Sequence, residues 1–324
     1  MTRSHLVVSF LAVVLAATPL TAASWTPDDL LDAQSVRELE LSDDGRIAVW
    51  IRRSAVRLDG ERKTANQAFL ARLDDADRPP VQLTHDAAGV RALALSPDAR
   101  HLAFVTTRER AGVEAKGPQL WVLPLDGGEA YGVTAFERPV ADFAWIDEGS
   151  FLVARETAPS GRERRLKEDD DTSIAVDDVR DAPPVRLWRV DLDGKAKRLT
   201  TNDDWIEEMA VAPDGRTAVV RAGQSLHYDF DSKVPPRTFL VDLETGERTE
   251  ILAGTRYLPG GMQWADDSAF YFIDQYTRHP IYRMATVARL HRFEVATGAV
   301  HRVDSGWERG LGGDVSVVDG GVMA

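Results

Sequence analysis

The residue types that usually carry chemistry are thinly spread in this chain. His5, His85, His101, His227, His279, His291 and His301 include no His-x-x-x-His pair, the helical spacing that would hold zinc. No Gly-x-Ser-x-Gly elbow presents a nucleophilic serine, and no glycine-rich phosphate loop of the Walker or dinucleotide type occurs. Cysteine is absent, which excludes thiolate metal sites, disulfides and a lipid-modified cysteine anchor. Asp191-Leu192-Asp193-Gly194 opens like a calcium loop, but Asn202 stands where the loop needs its final glutamate, so the segment reads as a hairpin turn. No metal and no cofactor is expected. His291 and His301 are expected on strands, as packing or surface residues.

Two groups of carboxylates remain. Glu168, Asp169, Asp170 and Asp171, with Asp177 and Asp178, could attract a divalent cation or an ammonium group, although a solvated loop has the same composition. Glu207 and Glu208 are the sharper pair, two adjacent acids at the start of a strand. They are the candidate substrate-binding residues.

The balance of 39 Lys and Arg against 52 Asp and Glu gives a net charge of -13, which repels nucleic acid and anionic lipid alike. Nucleic acid is therefore not an expected partner. With 44% hydrophobic and 28% charged residues the composition is that of a folded globular protein. At the N-terminus, Arg3 and His5 precede a twelve-residue apolar run, Leu6 to Ala17, followed by Thr18, Pro19 and small residues up to Ser24. That order predicts a signal peptide over 1–23 with cleavage near Ala23, since a membrane span needs about 20 apolar residues. The mature chain is expected to be exported, periplasmic or secreted, and free of the membrane once cleaved.

What must position the acids is legible as a repeat. The pattern of apolar strand, acidic turn and apolar strand recurs at 39–51, 93–105, 143–154, 209–220, 262–273 and 315–324. Aligned on Asp44, Asp98, Glu148, Asp214, Asp267 and Asp319, the copies lie 54, 50, 66, 53 and 52 residues apart. Between them runs a second hairpin, as in LWRVDLDGKAKRLT (187–200), with turns that tolerate positive φ and an end that is often Leu-Thr. Each period therefore holds four antiparallel strands. Sheets so small must pack face to face around an axis, which is an all-β propeller. The sequence holds five complete blades and the start of a sixth near Gly313, ending within its second strand. Thr26-Pro27-Asp28-Asp29 predicts a short helix in a segment over 24–35, ahead of a propeller over 36–324 that is incomplete at its C-terminus. Trp145 and Trp264, recurring just before the turn acids, are expected to pack between blades. The excess of the 66-residue period falls between the second and third strands of blade three, at the same end as Glu207 and Glu208.

WTPDDLLDAQSVRELELSDDGRIAVWI, the SPDAR and APDGR turns, LWRVDLDGKAKRLT and HYDFDSKVPPRTFLVDLETGE together resemble the propeller half of secreted prolyl oligopeptidase-family serine peptidases, in the acylaminoacyl-peptidase and dipeptidyl-peptidase branch. The resemblance implies seven or eight blades and a following α/β-hydrolase domain whose serine, histidine and aspartate cleave short peptides. No residue here matches that triad, so this chain alone is expected to be inactive and a fragment. Its expected partners are a peptide substrate and the absent hydrolase domain. In dipeptidyl-peptidase members paired propeller glutamates hold the peptide's free amino terminus, the role the resemblance implies for Glu207 and Glu208. The alternative is a stand-alone periplasmic propeller of the TolB type that binds a protein partner.

Overall fold

A computed structural model describes residues 25–58, 60–75, 77–110, 117–157, 159–170, 182–277, 286–303, 311, 316–318 and 321–323. The expected leader over 1–23 lies outside the described residues. The chain forms two units, divided after Ala33. In the first, α1 (Pro27–Leu31) is the expected short helix. The Thr26 hydroxyl accepts the Asp29 N–H, and the Asp29 carboxylate returns to the Thr26 N–H at 2.7 Å.

The second unit is a β-propeller. Blade one is β1 (Ser35–Leu41), β2 (Ile47–Leu58), β3 (Glu61–Arg72) and β4 (Val81–Gln82). Blade two is β5 (Arg91–Leu95), β6 (His101–Thr106), β7 (Gln119–Pro124) and β8 (Tyr131–Gly132). Blade three is β9 (Val140–Asp147), β10 (Ser150–Glu156), β11 (Val185–Asp191) and β12 (Ala196–Arg198). Blade four is β13 (Trp205–Val211), β14 (Thr217–Gly223), β15 (Arg237–Asp242) and β16 (Arg248–Ile251). Blade five is β17 (Gly260–Asp266), β18 (Ala269–Tyr276), β19 (Val287–Glu294) and β20 (Val300–Arg302). A sixth unit begins with β21 (Ser316–Val318) paired to β22 (Gly321–Met323). First strands meet first strands around the unit, β1 to β5, β5 to β9, β9 to β13, β13 to β17, β17 to β21 and β21 to β1.

The repeat has a local cause. Ser42 donates to the Asp44 carboxylate at 2.6 Å, Asp44 accepts the Arg46 N–H at 3.0 Å, and the Ile47 N–H returns to the Ser42 hydroxyl at 2.9 Å. Ser96, Asp98, Arg100 and His101 repeat the arrangement. In blades three and five the hairpin is tighter. There Asp147 and Asp266 accept the Gly149 and Ser268 N–H groups at 2.8 Å each. The turn-closing acid thus lies one residue before the aligned Glu148 and Asp267, because only two residues separate the flanking strands. Asp267 instead accepts the Asp214 N–H of the preceding blade at 2.9 Å.

The Leu-Thr ending is explained as well. Fourth strands are short, and a buried threonine hydroxyl extends their ladder: Thr84 accepts the Ala68 N–H at 2.9 Å, Thr134 the Leu120 N–H at 2.9 Å, and Thr200 the Leu187 N–H at 3.0 Å. Second strands are buried on both faces, β10 from Ser150 to Arg155, so they read as continuous apolar runs rather than alternating ones. Phe104, Phe151, Phe270 and Phe272 fill the interior. Trp145 and Trp264 are buried between blades as expected, against Phe151 (ring centroids 4.0 Å apart) and Phe270 (5.5 Å). Blades three and four are also joined in one hydrogen-bonded sheet through a single parallel pairing, Val185 with Trp205.

Candidate functional site

On a regular strand Glu207 and Glu208 would point to opposite faces. They do not, because β13 carries a bulge. Ile206 pairs with Ala222 and Glu208 with Arg221, so Glu207 is the extra residue, and a bulge re-aims side chains. Both carboxylates reach one guanidinium: Arg221 Nε lies 3.2 Å from Glu207 Oε2, and Arg221 Nη1 lies 3.0 Å from Glu208 Oε2. Arg221 is fixed in turn by the Pro259 carbonyl at 2.9 Å. Gly223 makes room, since a Cβ there would collide with the Glu207 carboxylate.

The two glutamates are not equivalent. Glu208 Oε1 accepts the Met262 N–H of β17 at 2.9 Å, so both of its oxygens are engaged, one of them across to the next blade. The Glu207 side chain is 40% exposed against 24% for Glu208, and among the described residues its Oε1 has no hydrogen-bond partner. Glu207 thus keeps one unengaged oxygen on a partly exposed side chain, and Glu208 is a stitch between blades.

That stitch is one of a series. Each of the first strands β1, β5, β9, β13 and β17 has one extra residue near its start. Shortly beyond the bulge in three of them, an acceptor side chain takes a peptide N–H from the next first strand: Glu40 takes Leu95 at 3.1 Å, Glu208 takes Met262 at 2.9 Å, and Gln263 takes Val317 at 3.0 Å. In blade three the buried Asp142 carboxylate faces the Met209 N–H of β13. Blade two lacks an acid there, and its seam is crossed by Arg91 Nη2 donating to the Val140 carbonyl at 2.9 Å. Burial pushes the Asp142 carboxyl up to about 6, with the charge of Glu208 adding to it and Arg91 opposing. Of the first-strand carboxylates in blades one, three and four, Glu40 and Asp142 are drawn toward the neutral form by burial, and Glu207 keeps the exposed, unengaged oxygen.

The other acidic group sits apart. The charged run is helix α2 (Gly161–Glu168), capped by Ser160 and Glu163 and held to the blade-two connection by Arg138, which pairs with Glu156 and with Glu163 at 3.3 Å. Ser160 and Glu163 form the S-x-x-E capping box, a signal the sequence reading missed. Glu168, Asp169 and Asp170 end this helix exposed, and Asp171, Asp177 and Asp178 lie outside the described residues. Among the described residues no hydrogen bond or ion pair joins α2 to Glu207 or Glu208, and no group of three His, Asp or Glu side chains is gathered as a metal would need. His291 is buried on β19, stacked on Phe272 with centroids 5.3 Å apart, and His301 is exposed on β20. Sequence reasoning also missed Arg221 and Asp142.

No protein-family model and no curated protein matches the chain. Solved structures do match. Pyrococcus horikoshii acylaminoacyl peptidase superposes with a TM-score of 0.59 at 13% identity over 91% of this chain and 43% of its own. The propeller domain of the Trilobed protease from Pyrococcus furiosus gives 0.54 at 11% identity, over 89% and 76%. A TolB from Agrobacterium tumefaciens gives 0.53 at 15% identity, over 83% and 80%. At these identities the likeness is one of fold. The chain is a β-propeller, similar to those of peptidases and of TolB, and it spans less than half the length of the acylaminoacyl peptidase.

Proposed function

We propose that the chain is the propeller portion of an exported serine peptidase, gating access to an α/β-hydrolase domain and positioning short peptides for it. The observation that carries this reading is the bulged Glu207. Its carboxylate is partly exposed, has one unengaged oxygen, and is steadied by Arg221 at the blade end that also carries α2. A peptide's terminal ammonium docked on Glu207 Oε1 forms a charge-assisted hydrogen bond, which fixes how far the chain extends toward a cleaving group. Hydrolysis itself needs a nucleophile from outside this chain, and the sequence contains no serine elbow.

The test compares a tripeptide with a free amino terminus and its N-acetylated form by titration calorimetry. Binding at least about tenfold tighter for the free amine, lost in Glu207→Gln, supports the assignment. Equal affinity for both peptides removes it.

A second reading, a self-standing propeller that binds a protein partner, is supported by the comparable likeness of fold to the Agrobacterium TolB. The coding sequence beyond Ala324 separates the two. A Gly-x-Ser-x-Gly followed by aspartate and histidine in a βα pattern supports the peptidase, and a stop after one or two further blades supports the binding module.

A further inference from the structure

The five seams between successive first strands are not stitched alike. Between blades four and five, Glu208 is joined by the Trp264 indole donating to the Ala210 carbonyl at 3.0 Å and by the Asp214 to Asp267 contact. Between blades two and three, Arg91 is joined by the Trp145 indole donating to the Ala94 carbonyl at 3.1 Å. Between blades three and four the Val185–Trp205 pairing crosses the seam, and Asp142 faces Met209 beside it. Between β17 and β21 the stitch is the uncharged amide of Gln263. The seam between blades one and two is crossed by a main-chain bond from the Val90 N–H to the Asn66 carbonyl at 2.9 Å, over an apolar core shared by Val49, Leu70, Leu95 and Phe104. Among the described residues, the side-chain hydrogen bonds from β1 to β5 are made by carboxylates alone: Glu40, with both oxygens 3.1 Å from the Leu95 N–H, and Glu38, 3.3 Å from the Leu93 N–H. Both strands are bulged here, with Glu38 and Ala92 held at φ of 50° and 51°. At the other end of this seam an open cleft of about 180 Å³ is lined by Thr64 and Asn66 from blade one and by Gly89, Arg91 and Thr106 from blade two.

We propose that the contact of Glu40 with the Leu95 N–H is a proton-operated joint in the seam between blades one and two. The surroundings of Glu40 favour its neutral form. On its own strand lie Glu38 and, toward the start, Arg37, and Asp43 follows in the turn; β2 carries Arg52, which lies over the Phe69 ring, and Arg53, both paired with the start of β1. The facing strand β5 has one ionisable side chain, Arg91, which is committed to blade three. Val49, the register partner on β2, carries no charge, and neither does the adjoining β21. No ion pair forms with Glu40 among the described residues. Burial pushes its carboxyl up to about 8, and the charge of Asp43 adds to this against the Leu95 hydrogen bond. With the joint open the carboxylate is hydrated and titrates in its ordinary range. Closure is therefore fully favoured below that range and is lost as pH rises to about 8, beyond which nothing further changes.

Hydrogen exchange of the Leu95 amide, corrected for intrinsic rates, tests this on the whole chain, with the Val317 amide, whose acceptor Gln263 cannot ionise, as an internal reference. Between about pH 5 and about pH 9 protection at Leu95 is expected to fall at least about tenfold relative to Val317. Glu40→Gln keeps an acceptor for the Leu95 N–H but cannot ionise, so its ratio should stay flat. A ratio independent of pH in the wild type overturns the proposal without recourse to any variant, as does an equal fall in Glu40→Gln.

Discussion

The indole of Trp264 donates to the main-chain carbonyl of Ala210, one blade back, at 3.0 Å. Two blades earlier Trp145 does the same to Ala94 at 3.1 Å, so the recurrence of tryptophan marks one joint used twice. The residue both fills the gap between sheets and satisfies a carbonyl that the bulged first strand leaves over. Trp264→Phe keeps most of the ring and deletes the donor, at an expected cost of about 1 to 3 kcal/mol. Trp264→Ala empties the gap and should cost about 3 to 5 kcal/mol. Denaturant unfolding of the two variants checks the order, and equal losses would mean that the hydrogen bond contributes nothing.

Asp204 and Arg248 form the most enclosed ion pair with a paired geometry, at 2.9 and 2.8 Å with side chains 15% and 14% exposed. Gln224 and Asn202 also donate to Asp204, and Arg248 lies over the Phe239 ring at 3.9 Å. Burial opposes ionisation of Asp204, but the hydrogen bonds from Arg248 and Gln224 and the arginine's charge outweigh it and hold the carboxyl below its usual range. A depressed carboxyl contributes stability above the ordinary carboxylate range that is lost as pH falls through its folded value. Arg248→Met leaves the carboxylate enclosed without its cation. The variant should lose about 3 to 5 kcal/mol at neutral pH, with the deficit shrinking toward about pH 3. Melting temperatures across that interval test it, and a deficit that does not change with pH would assign the loss to packing alone.

How much of this was legible in the sequence follows from which features are local. The Ser-x-Asp turns, the Leu-Thr endings and the recurring tryptophans are made within a few residues or repeated from blade to blade, so they survive as patterns in the letters. The two-residue hairpins of blades three and five moved the turn acid by one position, because alignment on acids cannot see how many residues a turn holds. Bulges are less visible still. The doublet Glu207-Glu208 sets two adjacent acids into the otherwise apolar strand Trp205–Val211, and that break was the one available sign of the bulge there. Nothing local announced that Glu40 would bond to an N–H 55 residues away or that Asp142 would face one 67 residues away, since the partner is a main-chain N–H common to every residue type. Arg221 was missed for a related reason: it lies opposite Glu208 only once the register of β14 is known.

Gly223 gives the most direct access to the candidate site. It ends β14 with an ordinary negative φ, so a side chain there meets no backbone penalty, yet an added Cβ would run into the Glu207 carboxylate, the flexible end of an exposed side chain. Gly223→Ala should therefore displace Glu207 from Arg221 while leaving Glu208 and its contact with Met262 in place. Stability is expected to change by less than about 1 kcal/mol, because a half-exposed ion pair is worth little. Preference for a free over an acetylated peptide amino terminus should fall about as far as in Glu207→Gln, since the position of the carboxylate is what matters. Calorimetric titration with both peptides reads the second effect and thermal unfolding the first. Unchanged preference in the folded variant would show that the exact placement of Glu207 does not matter for amine recognition, and a large loss of stability would show that its pairing with Arg221 is part of the framework of blade four.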